Sequence, residues 1–257
     1  MTVDQAATVV AGVLGAMLGS FLNVCIHRWP REESVVRPRS RCPGCGQTIA
    51  WYDNIPVVSW LLLRGRCRHC RSAISAQYPL VELAMGGLWA FIIWRYGVTW
   101  QAVSGGVFFS ILLGIAMTDA REYIIPDEFS LGGLVIGLLL SLSRGSAGLI
   151  DAVIGAAAGF LLLWTVGAIG KRMFKEEAMG GGDIKMMAMV GAFVGWQGVL
   201  LTVFLGALLG TIVFVPLSLI GPKKLVPFGV FLSLGSAATW LAGSAIITWY
   251  RMTVLEP

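Results

Sequence analysis

Charge is what this chain has least of. Only 13% of its 257 residues are Asp, Glu, Lys or Arg, where soluble globular chains carry about 25%. So few charges cannot cover an ordinary water-facing surface, which excludes a soluble globular protein. The features of a cleaved signal peptide are also missing. The first apolar run, Thr8 to Cys25, has no basic residue ahead of it and no small-residue cleavage site behind it, so it reads as a retained span. No convincing internal repeat is visible, which argues against a repeat architecture.

What the chain does have is apolar length. Hydrophobic residues make up 56% of it, and they fall into eight segments, roughly 5–27, 79–96, 100–118, 128–143, 147–170, 184–195, 198–220 and 226–250. Runs of about 18 or more apolar residues read as membrane-spanning helices. The predicted fold class is therefore an all-α polytopic membrane protein of about eight transmembrane helices. The sixth segment is too short to cross about 30 Å of hydrocarbon alone at about 1.5 Å per residue. Three regions are expected: a first helix over 1–27, a polar loop over 28–77 and a membrane core over 78–257.

The net charge of +5 would suggest nucleic acid in a soluble protein. Here topology explains it, and no nucleic-acid partner is expected. Nine arginines lie between Arg28 and Arg71, and Arg121, Lys171, Arg172, Lys175, Lys185, Lys223 and Lys224 fall in alternate loops. Only Arg95, Arg144 and Arg251 fall on the opposite side. Basic loops stay in the cytoplasm. The 28–77 loop is thus expected to face the cytoplasm and both termini the outside, in a bacterial inner membrane.

That loop holds Cys42-Pro43-Gly44-Cys45 and, after 21 residues, Cys67-Arg68-His69-Cys70. Two C-x-x-C knuckles at this separation suit one tetrahedral Zn²⁺ on Cys42, Cys45, Cys67 and Cys70. Four thiolates leave no open position for water, so such a zinc is structural. Its task would be to fold a loop too small for a good core of its own. Redox pairs or bare thiols are the alternative, and His69 is an alternative ligand. Cys25, inside the first span, reads as a small buried residue.

Ionisable groups at membrane depth are costly and point to function. Asp119 ends the third segment and Asp183 opens the sixth, after Gly180-Gly181-Gly182. Both are expected at the cytoplasmic edge. If packing brings them together, the two carboxylates cannot both ionise easily. One could then take a proton from an attacking water while the other donates one. The bland alternative is that each is an interfacial cap, as Asp127, Glu128 and Asp151 are read. Glu82, near the start of the second segment, is a further polar group at the membrane edge.

These residues resemble the type IV prepilin peptidase family, the bifunctional leader peptidases and N-methyltransferases with a GxGD aspartyl site. The likeness runs through nearly the whole chain. It includes Gly19-Ser20-Phe21-Leu22-Asn23-Val24, the two cysteine knuckles, and Asp53-Asn54-Ile55-Pro56-Val57-Val58-Ser59-Trp60. Further along come Tyr78-Pro79-Leu80-Val81-Glu82-Leu83, Ile124-Ile125-Pro126-Asp127, Gly180-Gly181-Gly182-Asp183 and Pro227-Phe228-Gly229. The resemblance implies catalysis by Asp119 and Asp183 on type IV pilin and type II pseudopilin precursors, at the cytoplasmic face of the lipid bilayer. It implies methylation of the new N-terminus, often phenylalanine, from S-adenosylmethionine, with Glu82 and Gly86 at the positions linked to methyl transfer. No G-x-G-x-x-G signature supports the second activity independently. The acids Glu122, Asp127, Glu128, Glu176 and Glu177 could attract a basic leader, or be solvated loop charges. A peptidase without methylation, a transporter with a zinc-stabilised loop and a non-enzymatic assembly scaffold are the other function classes considered.

Overall fold

The computed structural model describes residues 2–175, 179–220 and 226–255. Among the described residues eight α-helices follow one another: α1 (Val3–Arg28), α2 (Val58–Leu62), α3 (Gln77–Tyr96), α4 (Trp100–Glu122), α5 (Asp127–Ser141), α6 (Gly145–Phe174), α7 (Gly181–Ile220) and α8 (Phe228–Tyr250). The all-α expectation holds. Among the described residues the only extended pairings are two isolated bridges, Arg41 with Thr48 and Arg66 with Ala73.

Among the described residues, five helical stretches are long and apolar enough to cross a membrane: Val3–Arg31, Trp100–Glu122, Asp127–Met173, Gly181–Pro216 and Phe228–Val254. The third contains two helices, because a single 3₁₀ turn at Leu142–Arg144 and a left-handed Gly145 separate α5 from α6. Inside α7, Gly195 takes φ 71° and ψ 174°, so two helical arms meet there without continuous helical backbone. This is where the sequence showed one apolar segment ending and the next beginning. Asp151 of α6 faces the break: a Cβ on Gly195 would lie 3.3 Å from its Oδ2. A carboxylate suits that place, since the second arm's first N–H groups have no intrahelical acceptor.

The chain divides into two compact units, Met1–Ser110 and Ile111–Pro257. In the first, α1 packs on α3. The approach is close because Gly15 and Gly19 present no side chain: a Cβ there would come within 2.7 Å of the Met85 carbonyl and 2.8 Å of the Glu82 Cα. In the second unit α7 is central, with α5, α6 and α8 packed around it. The Gly155 and Gly159 pair serves helix packing, as its small-residue spacing suggests. Gly155 meets the backbone of Gly191, and Gly159 that of Met187. Between α7 and α8, Thr202 and Thr239 share a buried 3.1 Å hydrogen bond.

Candidate active site and metal centre

Asp119 lies in the last turn of α4 and is buried. Its Oδ2 accepts a hydrogen bond from the Val230 N–H at 3.2 Å, and the Gly229 N–H is a second donor. Both donors sit at the start of α8, where backbone N–H groups lack helical acceptors and the dipole favours an anion. Pro227 caps that helix. The Pro227-Phe228-Gly229 string thus delivers the N-terminus of α8 onto Asp119. Gly229 is required there, because a Cβ would stand 2.9 Å from Asp119 Oδ2 and 2.8 Å from Ile125 Cδ1.

Asp183 enters in the first turn of α7. One of its oxygens meets the Gly180 backbone N–H. The other, Oδ1, is buried with no hydrogen-bond partner. The chain ahead of it is slim because Gly182 packs on Ile125, whose Cβ would lie 3.0 Å from a Cβ at that position. Ile125 therefore touches the backbone beside both aspartates. The carboxylates are close enough for the charge of Asp119 to act on Asp183. Two acids 64 positions apart come within electrostatic reach of each other, an arrangement that segment boundaries alone could not display.

The helix starts around the pair are tied together. Lys185 Nζ reaches both oxygens of Asp127 at 2.8 Å, linking α7 to α5. Asp127, half-exposed in the first turn of α5, is thus engaged with a lysine. Exposed pairs of this kind contribute about 0.2–1 kcal/mol. Glu176, Glu177, Lys223 and Lys224 lie outside the described residues.

In the first unit, Cys42, Cys45, Cys67 and Cys70 converge, their Sγ atoms all within 4.8 Å of one another. The Cys42 and Cys70 sulfurs are 3.7 Å apart. Metal–sulfur bonds of about 2.3 Å in a tetrahedron require sulfurs about 3.8 Å apart, so the four residues fit one metal ion. The knuckles share one scaffold. Cys42 N–H donates to Gln47 O and Gly46 N–H to Cys42 O; Cys67 N–H donates to Ser72 O and Arg71 N–H to Cys67 O. Gly46 and Arg71, at equivalent places, both take positive φ. His69 is exposed and stands outside the cluster.

The thiols are electrostatically unequal. The Ser72 hydroxyl, with the backbone N–H groups of Cys45 and Gly44, draws Cys42 down to about 6. At Cys45 the Gln47 N–H acts in the same direction, but desolvation and the neighbouring thiols Cys70, Cys42 and Cys67 outweigh it, and the group is pushed up to about 11. Four crowded thiols cannot all ionise without a cation among them, and a divalent metal removes that conflict.

The rest of the loop has its own supports. Asp53 pairs with Arg68 at 2.6 Å, and this bond holds its carboxyl below the usual range. Trp60 Nε1 donates to Ile74 O at 3.1 Å, and its ring lies against Gly65. Glu82, on α3, is buried and reaches into the loop, where its Oε2 accepts the Val57 N–H at 2.7 Å. Gly86, one turn on, packs against α1: a Cβ there would lie 3.0 Å from the Gly12 carbonyl. Residue types alone signalled neither Val57 as the partner of Glu82 nor the N–H groups of Gly229 and Val230 as partners of Asp119. The strings around them that resemble the family's were the available hint.

Two family models match the chain. The bacterial peptidase A24 N-terminal domain covers residues 13–96, and the type IV leader peptidase family covers residues 106–215, both aspartates included. Among curated proteins, the chain is similar to the prepilin leader peptidase/N-methyltransferase of Myxococcus xanthus, at 43% identity over 82% of this chain and 64% of that one. It is 38% identical to the one from Stutzerimonas stutzeri, over 93% of this chain and 91% of the relative. The Pseudomonas aeruginosa protein of the same name is 36% identical, again over 93% and 91%. No solved structure matches.

Proposed function

The chain belongs to the type IV leader peptidase family, and from that premise we propose that it cuts the basic leader from type IV pilin and pseudopilin precursors with Asp119 and Asp183, then N-methylates the new terminus. One observation carries the peptidase reading. Two acids from separate helices, one held by the start of α8 and one with a buried unpartnered oxygen, meet around Ile125.

In the reaction the two carboxylates share the proton traffic of peptide hydrolysis. Water loses a proton to one of them as it attacks the scissile carbonyl, and the leaving amine gains one from the other. The pair acts as a unit, so neither is assigned acid or base alone. The N–H groups of Gly229 and Val230 keep Asp119 in place. Gly181, with nothing within 4 Å of the place a Cβ would take, leaves the chain ahead of Asp183 open for an extended substrate.

Methyl transfer requires S-adenosylmethionine, which supplies the methyl group when bound. Glu82 and Gly86 are the residues we assign to this activity. Glu82 offers a buried carboxylate beside a cavity, and Gly86 keeps α3 against α1 so that Glu82 stays there. The four cysteines hold Zn²⁺ as a structural ion, and the loop and catalytic aspartates face the cytoplasm of an inner membrane. Eight spans, counting the two arms of α7 separately and including α3, put both termini outside.

The test is cleavage of a prepilin in membranes, read by intact N-terminal mass. Wild type should yield the shortened chain plus the mass of one CH₂. Asp119→Asn and Asp183→Asn should each leave the precursor uncut. Normal cleavage by either variant would overturn the assignment.

A further inference from the structure

Below the loop, within the first unit, lies a cavity of about 380 Å³, lined among others by Ser20, Asn23, Val57, Trp60, Tyr78 and Glu82. That volume falls in the range of small-ligand sites. Two of its acceptors are buried and incompletely used. Asn23, on α1, is 3% exposed. Its Nδ2 donates to the Tyr78 carbonyl at 3.0 Å. A carbonyl can only accept, so this bond fixes the amide orientation and leaves Oδ1 as the free end. That Oδ1 is buried with no partner, an expensive state for a native side chain. Glu82, one turn from Tyr78 on α3, receives the Val57 N–H and meets Ser20. A carboxylate has about four acceptor positions, so capacity remains there too.

The loop backbone is strained at this place. Val57 takes φ 62° and ψ −49°, and the Val58 N–H turns back to the Pro56 carbonyl at 2.6 Å. Such a γ-turn is rare, and a β-branched residue in it is an outlier of the kind found at ligand clamps. Glu82 holds the strained residue by its N–H.

Two of the arginines that line the cavity are already committed. Arg28 donates to the carbonyls of Ser34 and Pro38, both at 2.8 Å, and Arg68 is held by Asp53. The buried capacity left unfilled, at Asn23 Oδ1 and Glu82, is for a donor. We propose that this cavity binds a primary ammonium group, received by Asn23 Oδ1 and the Glu82 carboxylate. An ammonium brings three donors and one positive charge, which matches an unpartnered amide oxygen beside a buried carboxylate. The inference rests on the methyl-transfer reading, because two ammonium sources meet in that reaction: the amino-acid end of S-adenosylmethionine and the new N-terminus of the cut pilin.

The experiment measures equilibrium binding to the full-length protein in detergent, with two probe pairs. One is S-adenosylmethionine against its deaminated analogue, which keeps the sulfonium and the carboxylate and lacks only the ammonium. The other is a peptide with a free N-terminal phenylalanine against its N-acetylated form. Wild type should favour the ammonium-bearing member of one pair by about tenfold or more, the size of a lost charged hydrogen bond, and that pair identifies the source. Asn23→Leu should abolish the preference, and Asn23→Asp, which retains an acceptor, should keep it. Zinc content and Tm report folding of each variant. A wild type without preference in either pair overturns the proposal, as does an unchanged preference in folded Asn23→Leu. Methyl incorporation by wild type into the cut peptide is measured alongside. Incorporation without ammonium preference sinks only the cavity assignment, whereas no incorporation sinks the methyl-transfer reading itself.

Discussion

Gly229 shows how tightly the aspartate pair is fitted. It gives its N–H to Asp119 and leaves no room for a Cβ between that carboxylate and Ile125. Gly229→Ala should therefore cost about 1–3 kcal/mol of stability through overpacking. It should also lower the kcat for prepilin cleavage by up to about 100-fold, the effect of displacing a reacting group by about 1 Å. Thermal unfolding and single-substrate kinetics on the same preparation check both. A variant with lowered Tm and normal kcat would show that Gly229 serves packing alone. At this scale the sequence exposed the acids themselves, since a carboxylate at the end of an apolar run is conspicuous. It did not expose their partners. Val230 lies 111 positions beyond Asp119, and backbone N–H groups have no letter in a sequence. The same is true of Glu82, whose carboxylate was visible while the bent Val57 backbone it grips was not.

Among the elements, the α6–α7 contact depends on glycines facing each other. Gly155 and Gly191 each occupy the space that a methyl on the other would need. Gly191→Ala should push the two helices apart and lower stability by about 1–3 kcal/mol, seen as a reduced Tm. Because α7 also carries Asp183, cleavage should fall with it. An unchanged Tm would mean the helices part without cost. Helix positions were legible because apolar runs report membrane length directly. The break at Gly195 was legible too, as the gap between a short apolar segment and a long one. The turn between α5 and α6 is as short as the three-residue gap between the apolar segments and lies two residues earlier, at Leu142–Arg144.

For the whole molecule, the division into two units falls inside α4, between Ser110 and Ile111. No change of composition marks that point, because one continuous helix serves both units. The cysteine cluster was readable from spacing alone, since metal geometry restricts ligands more sharply than packing restricts helices. Purified protein should carry one zinc per chain. Chelation, or Cys42→Ser with Cys67→Ser, should remove it and unfold the loop, followed by the fluorescence of Trp51 and Trp60. Full retention of loop fluorescence without metal would show that Trp60, Ile74 and the Asp53–Arg68 pair suffice to hold the fold.

The two knuckles also decide how the loop takes up its ion. Each is shaped by its own backbone hydrogen bonds, so each can be a preformed two-sulfur claw. A chain of 21 residues joins Cys45 to Cys67, and a flexible linker of that length spans about 25 Å. Once one claw holds a metal, the other meets it at an effective concentration of about millimolar, far above that of any second protein. Capture by the first pair thus commits the second, and the loop fills as a single step even when metal is scarce.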